Sequence, residues 1–124
     1  MSHFTRIRTQ LRNLDTVKLA LEDLGYEIED AHEIRGYMGQ EAEADIVVKG
    51  SAKYDIGFRR EGDLIVMVGD FWGLKMDRRE FLNQVSQRYA YRTVLEQADA
   101  QGWSKVEEVV QEDGSIKLVI QRWS

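Results

Sequence analysis

The chain has 124 residues, a net charge of −5, 43% hydrophobic and 31% charged residues, and neither cysteine nor proline. These numbers describe one soluble domain over residues 1–124, large enough to bury a core without covalent staples. They exclude disulfides, thiolate nucleophiles and thiolate-held metals, offer no apolar run near the roughly 20 residues that cross a bilayer, and disfavour a protein that coats nucleic acid with its whole surface.

The opening MSHFTRIRTQ lacks the apolar segment of a signal peptide, so the expected setting is cytosolic. HFTRIRTQL alternates as a strand does, with Phe4, Arg6, Arg8 and Gln10 on one face and Ile7 and Leu11 on the other. NLDTVKLALEDLG follows with Leu14, Val17, Leu21 and Leu24 at helical spacing, Asn13 as N-cap and Gly25 just past the end. YEIEDAHEIRGY and ADIVVKG read as two strands joined through RGYMGQEA. YDIGFRREGDLIVMVGD reads as a hairpin turning at EGD, and FWGLKM as a loop. Asp77 caps a long helix running to about Gln101, and the C-terminal segment is a second hairpin turning at Asp113-Gly114. The expected fold is α+β: two layers, an antiparallel sheet of about six to seven strands, and two helices on one face. Helix–Gly–aromatic–strand–strand units recur after both helices, a pattern compatible with two related βαββ halves.

Three regions invite a functional reading. In SQRYAYRTV, Tyr89 and Tyr91 stand about 200° apart on a helix and cannot act on one substrate, whereas Arg88 and Arg92 share a side. The apolar stripe changes side here too, from Phe81, Leu82, Val85 and Tyr89 to Tyr91, Val94, Leu95 and Ala98. The helix therefore either breaks near Arg88 or is buried on two sides, the second under a long loop or another chain. Glycine-flanked GDFWGL could close over a pocket or plug the core. With the long helix it would form a ligand pocket of Asp70, Trp72, Arg88, Tyr89 and Arg92, whose plain alternative is packed tyrosines and paired arginines. RGYMGQ contains Gly36-x-x-Gly39, better read as a turn than as a phosphate loop, because both flanks read as strands. His3 and His32 sit on separate strands, and no metal-ligand spacing is present, so neither a metal, a cofactor nor a catalytic set is expected.

The third region is the sheet. If the helices cover its apolar face, the other face carries Arg6, Arg8, Lys49, Arg59 and Lys117 around Phe4 and Trp123. Cations with aromatics on an otherwise acidic protein suit an acidic protein partner, or single-stranded RNA by stacking and phosphate contacts; a solvated sheet face is the alternative.

Five ordered segments, MSHFTRIRTQLRNLD, EIRGYMGQEAEADIVVK, YDIGF, FLNQVSQRYAY and EDGSIKLVIQRW, together resemble the hypothetical chloroplast reading frame family number thirty-five, small proteins of cyanobacteria and algal plastids. GDFWGLKMDRRE resembles the family least, so no role for that loop carries over. The resemblance implies a family of unknown function, a stromal location in plastid relatives, and a helper role near an acidic ferredoxin-like or AAA-associated protein. The leading expectation is a non-enzymatic binding or assembly module docking an acidic partner through the basic sheet face. The alternatives are a small-ligand protein or enzyme using the 69–74 loop pocket, and RNA binding. A homo-oligomer is compatible with each.

Overall fold

The computed structural model describes residues 4–50, 54–74 and 76–122. In chain order they form β1 (Thr5–Arg8), α1 (Leu14–Asp23), β2 (Ile28–Glu29), β3 (Glu33–Arg35), β4 (Glu41–Glu43), β5 (Ile46–Lys49), β6 (Asp55–Glu61), β7 (Leu64–Gly69), α2 (Phe71–Leu74), α3 (Arg78–Ala100), β8 (Trp103–Val110) and β9 (Ile116–Arg122), with a 3-10 turn over Tyr37–Gly39. The α+β class and antiparallel pairing are as expected. The main sheet has five strands in the order β1-β7-β6-β5-β2, while β3 with β4 and β8 with β9 form separate pairs. In place of one sheet of six to seven strands, the described residues form nine strands divided among three sheets.

The helices begin and end where local chemistry directs. Asn13 Oδ1 accepts the Thr16 N–H at 3.2 Å, and Asp77 Oδ1 accepts the N–H groups of Arg79 and Glu80 at 3.0 and 3.1 Å, satisfying donors that a helix start leaves unpaired. Gly25 and Gly102, just past the two helices, take φ of +88° and +84°, a region costly for residues with a Cβ. Both helices pack on one face of the sheet. Val17 and Leu21 of α1 and Phe81 and Val85 of α3 meet Ile46, Val48, Ile56, Phe58, Ile65 and Met67, the alternate residues of three neighbouring strands. Phe81 anchors this core edge-to-face against Tyr26, with centroids 5.1 Å apart.

The opposite face is not open, which corrects the uncovered basic surface expected from the strand alternation. The segment expected as one strand, YEIEDAHEIRGY, breaks into β2 and β3, and β4 forms largely within the expected connection RGYMGQEA, ahead of β5. Pairing passes from the Ala44 N–H on the His32 carbonyl (2.8 Å) to the Asp45 N–H on the Phe58 carbonyl (2.9 Å). Beyond that bend, β3 and β4 fold over the sheet as a flap. Ile34 and Ala44 cover Val47, Val66 and Val68, with Phe4 and Ala42 packed alongside, and make a second core. A Cβ at Gly57 would lie 2.7 Å from Ala44 Cβ and 2.9 Å from Ile34 Cγ2, so glycine sets how closely the flap approaches. At the flap's far end the Asp55 carboxylate, 1% exposed, accepts the backbone N–H of Arg35 at 2.9 Å and its Nε and Nη2 at 2.8 and 2.7 Å.

Helix α3 is continuous across Arg88 and is buried on two sides. Phe81 and Val85 face the sheet, and Tyr91 turns to the β8–β9 hairpin, which covers part of the second stripe and leaves Val94 46% exposed. The likeness between the two halves ends at the helix-terminal glycines, because β2 and β5 join the main sheet whereas, among the described residues, β8 and β9 form a separate two-stranded sheet.

Gly57→Val should force the flap away from Val47 and Val68. We expect a loss of about 1–3 kcal/mol in urea unfolding together with increased binding of a hydrophobic dye by the folded protein. A variant as stable as the parent would show that the flap yields freely.

Candidate functional site

Two segments distant in sequence meet at one buried side chain. Asp70 immediately follows β7 and is fully buried. Its carboxylate accepts the N–H of Tyr37 at 3.0 Å and the N–H of Gly73 at 3.1 Å, tying the 37–39 turn to α2. GDFWGL is therefore a one-turn helix and not a loop. Phe71 enters the main core, and Trp72 points outward, 75% exposed. A Cβ at Gly73 would lie 2.7 Å from Tyr54 Cζ, so the Tyr54 ring rests directly against the α2 backbone. On the other segment Met38 is 82% exposed and holds φ +53°, a left-handed conformation that non-glycine residues rarely keep without tertiary restraint. The result is a fixed platform with Met38 and Trp72 as its most exposed apolar groups. It borders a surface cavity of about 580 Å³ lined by residues including Arg35, Tyr37, Met38, Glu41 and Tyr54.

The residues expected to form a basic face are dispersed. Arg6 and Arg59 both bind Glu61, whose carboxyl is held below its usual range by the Arg6 hydrogen bond and then that of Arg59. Arg59 also donates to the Glu43 carbonyl at 3.2 Å. Phe4 is half-buried in the second core. Arg8 and Lys49 are exposed, Lys117 lies on the separate β8–β9 hairpin, and Trp123 is outside the described residues. Outward on the flap stand Glu33, Glu41 and Glu43, and the hydrogen bond with Glu41 pushes the Glu33 carboxyl up.

Nor does the pocket expected between α3 and the 69–74 segment assemble. Arg88 Nε and Arg92 Nε donate to Asp23 Oδ2 at 2.8 and 2.6 Å. Arg88 reaches Glu108 at 3.0 Å and lies 4.2 Å over the Tyr91 ring. The Tyr91 hydroxyl donates to the same Glu108 carboxylate. Tyr89 Oη accepts the N–H groups of Arg12 and Asn13 at 3.2 and 3.1 Å and so braces the start of α1. These side chains join α1, α3 and β8, whereas Asp70 and Trp72 belong to the platform. Of the platform residues, Met38, Tyr37 and Tyr54 escaped sequence reading; an apolar methionine inside a glycine-flanked turn was the available signal. Among the described residues no cluster of three or more acidic or histidine side chains could hold a metal ion, and no helix is long and apolar enough to cross a membrane.

Residues 20–119 match the family described as a protein of unknown function, DUF1257, and the chain belongs to that family. It is similar to proteins named uncharacterized protein ycf35: 41% identical to that of Guillardia theta, covering 99% of this chain and 98% of the relative, and 37% identical to that of Pyropia yezoensis, covering 100% and 99%. The Cyanophora paradoxa protein is 36% identical, over 99% and 98%. The family resemblance carried by the five ordered segments is thereby shown. No solved structure matches the chain.

The Arg92 hydrogen bond, opposed by burial and reinforced by Arg88, lowers the Asp23 carboxyl from 3.8 to about 2. A depressed folded value means the ionised form stabilises the fold. The contribution is present above about pH 4 and is lost as pH falls toward 2. Asp23→Asn should cost about 1–2 kcal/mol at pH 7 and flatten the loss of stability between pH 4 and pH 2. Parallel acid-unfolding curves for parent and variant would show that Asp23 carries no such linkage.

Proposed function

We propose that the protein is a non-enzymatic binding or assembly module that docks an acidic protein partner, with the Tyr37–Met38 turn and Trp72 as the contact platform. The supporting observation is the pairing of two large apolar side chains, 82% and 75% exposed, on segments held rigid by one buried carboxylate. An aromatic or methionine anchor already fixed in place loses little entropy on binding. Charge gives the partner's sign. Exposed Lys49 precedes the Gly50 that packs near Leu74 and Tyr54, and exposed Arg78 and Arg79 open α3. Cations around an apolar centre favour and steer an acidic surface.

Of the partners the family resemblance implies, a small acidic ferredoxin fits this chemistry, in the cytosol or, for plastid relatives, the stroma. The RNA reading depended on a sheet face that the flap covers.

Binding to an immobilised acidic ferredoxin should weaken steeply between low and moderate salt. Trp72→Ala should reduce affinity at least tenfold, and Lys49→Glu should slow association. Salt-independent binding, or full affinity in the Trp72→Ala protein, would refute the assignment. Met38→Gly separates stability from function: releasing the left-handed residue should stabilise the fold by about 0.5–1 kcal/mol, read from urea unfolding, while weakening the same binding.

A further inference from the structure

We infer that Met38 is a site of reversible sulfur oxidation that switches the docking platform off. The inference rests on the docking role proposed above for the Tyr37–Met38 turn and Trp72, and it names the regulation of that site. Access comes first. The chain has four methionines and no cysteine, so a peroxide meets thioethers and no competing thiol. Met67 is fully buried in the main core, and Met76 packs against the same core. Met1 lies outside the described residues. Met38 is the most exposed large apolar side chain among those described, at 82%, and it lines the 580 Å³ cavity beside the platform.

The turn that carries Met38 cannot move the altered side chain aside. The Gly36 N–H donates to the Gln40 carbonyl at 2.8 Å, and the Gln40 N–H donates back to the Tyr37 carbonyl at 3.1 Å, closing the turn on itself. Asp70 holds the Tyr37 N–H. A Cβ at Gly36 would lie 2.6 Å from Phe4 Cζ, so the turn is seated on the Phe4 ring. Whatever stands at position 38 is therefore presented to a partner. Oxygen transfer from hydrogen peroxide forms the sulfur–oxygen bond and breaks the O–O bond. The sulfur gives up two electrons, and the peroxide is reduced to water. The product is a polar, chiral sulfoxide in place of a flexible apolar thioether. Its oxygen can only accept hydrogen bonds, and the carboxylates of an acidic partner are acceptors too. Docking would bury that oxygen without a donor, a costly arrangement. Sulfoxide reductases, one for each epimer, return the thioether. An exposed side chain contributes little packing, so the fold is indifferent to the change while the contact is not.

The test treats the full-length parent and Met38→Leu with hydrogen peroxide, removes the peroxide, and follows three readouts: peptide mass, urea unfolding and binding to the immobilised acidic ferredoxin. In the folded parent the peptide containing Met38 should gain one oxygen well before those containing Met67 or Met76. Affinity should then fall roughly tenfold with an unchanged urea midpoint, and the pair of sulfoxide reductases should restore it. Met38→Leu keeps an apolar side chain of similar size, so it should bind like the untreated parent and ignore peroxide. Bound ferredoxin should slow oxidation of Met38. Oxidation of Met67 or Met76 as fast as Met38, full affinity in the oxidised parent, equal peroxide sensitivity in Met38→Leu, or a urea midpoint that falls with the affinity would overturn the proposal. The two readings fail separately. An untreated parent that does not bind refutes the docking role and the switch with it, whereas peptide mass alone decides whether Met38 is the oxidised site.

Discussion

Asp55 lies beneath the bent hairpin with its carboxylate turned to the backbone and guanidinium of Arg35. Burial alone would push this carboxyl up, but the Arg35 hydrogen bonds outweigh that effect and hold it below its usual range. Arg35 is itself 42% exposed, so solvent screens part of the pair, but removing it would leave the buried Asp55 carboxylate without its counter-charge. Much else follows in chain order. Arg35 fixes the end of the flap, Gly36 carries the chain into the turn, and Tyr37 delivers its N–H to Asp70. Asp70 in turn sets α2, and with it Trp72. Two buried carboxylates, each bound to a residue of the flap segment 20 or more positions away, thus tie the cover over the second core to the geometry of the exposed platform.

The flap also redistributes charge. The strands alone would present Arg6 and Arg59 outward, but Glu61 binds both, and the flap lays Glu33, Glu41 and Glu43 over that side. Glu33 and Glu43 are direct cross-strand neighbours, an unfavourable arrangement of like charges. An acidic partner would be repelled from the flap and accepted at the platform edge, where Lys49, Arg78 and Arg79 are exposed. Orientation would then be set by repulsion from one surface as much as by attraction to another.

Local chemistry made the helices legible in sequence: Asn13, Asp77, Gly25 and Gly102 mark boundaries that need no tertiary information. The two sides of α3 were legible as well, from the shift of stripe between Val85 and Tyr91. The bend in the hairpin was not. Its two halves share one pattern of alternation, and nothing in Asp30–His32 announces that pairing stops following the sheet. Because the bend was missed, Val47 and Lys49 appeared on a solvent face, and the platform did not emerge. The pinning of Tyr37 by Asp70 spans 33 positions, beyond any periodicity argument. The arginine pair on α3 could be placed on one side, but its occupant Asp23 is 65 residues from Arg88 and only folding brings it there.

The strand order carries a consequence for the timing of assembly. β5, β6 and β7 are consecutive neighbours in the sheet, whereas both edge strands, β1 and β2, come from the first thirty residues. Thr5 pairs with Gly69, and α1 packs beside α3. During synthesis β1 and most of the packing surface of α1 have nothing to dock on until the central meander has left the ribosome, since those contacts are of high sequence separation. The first strand synthesised is among the last placed, and α1 waits longer still for the helix it rests against.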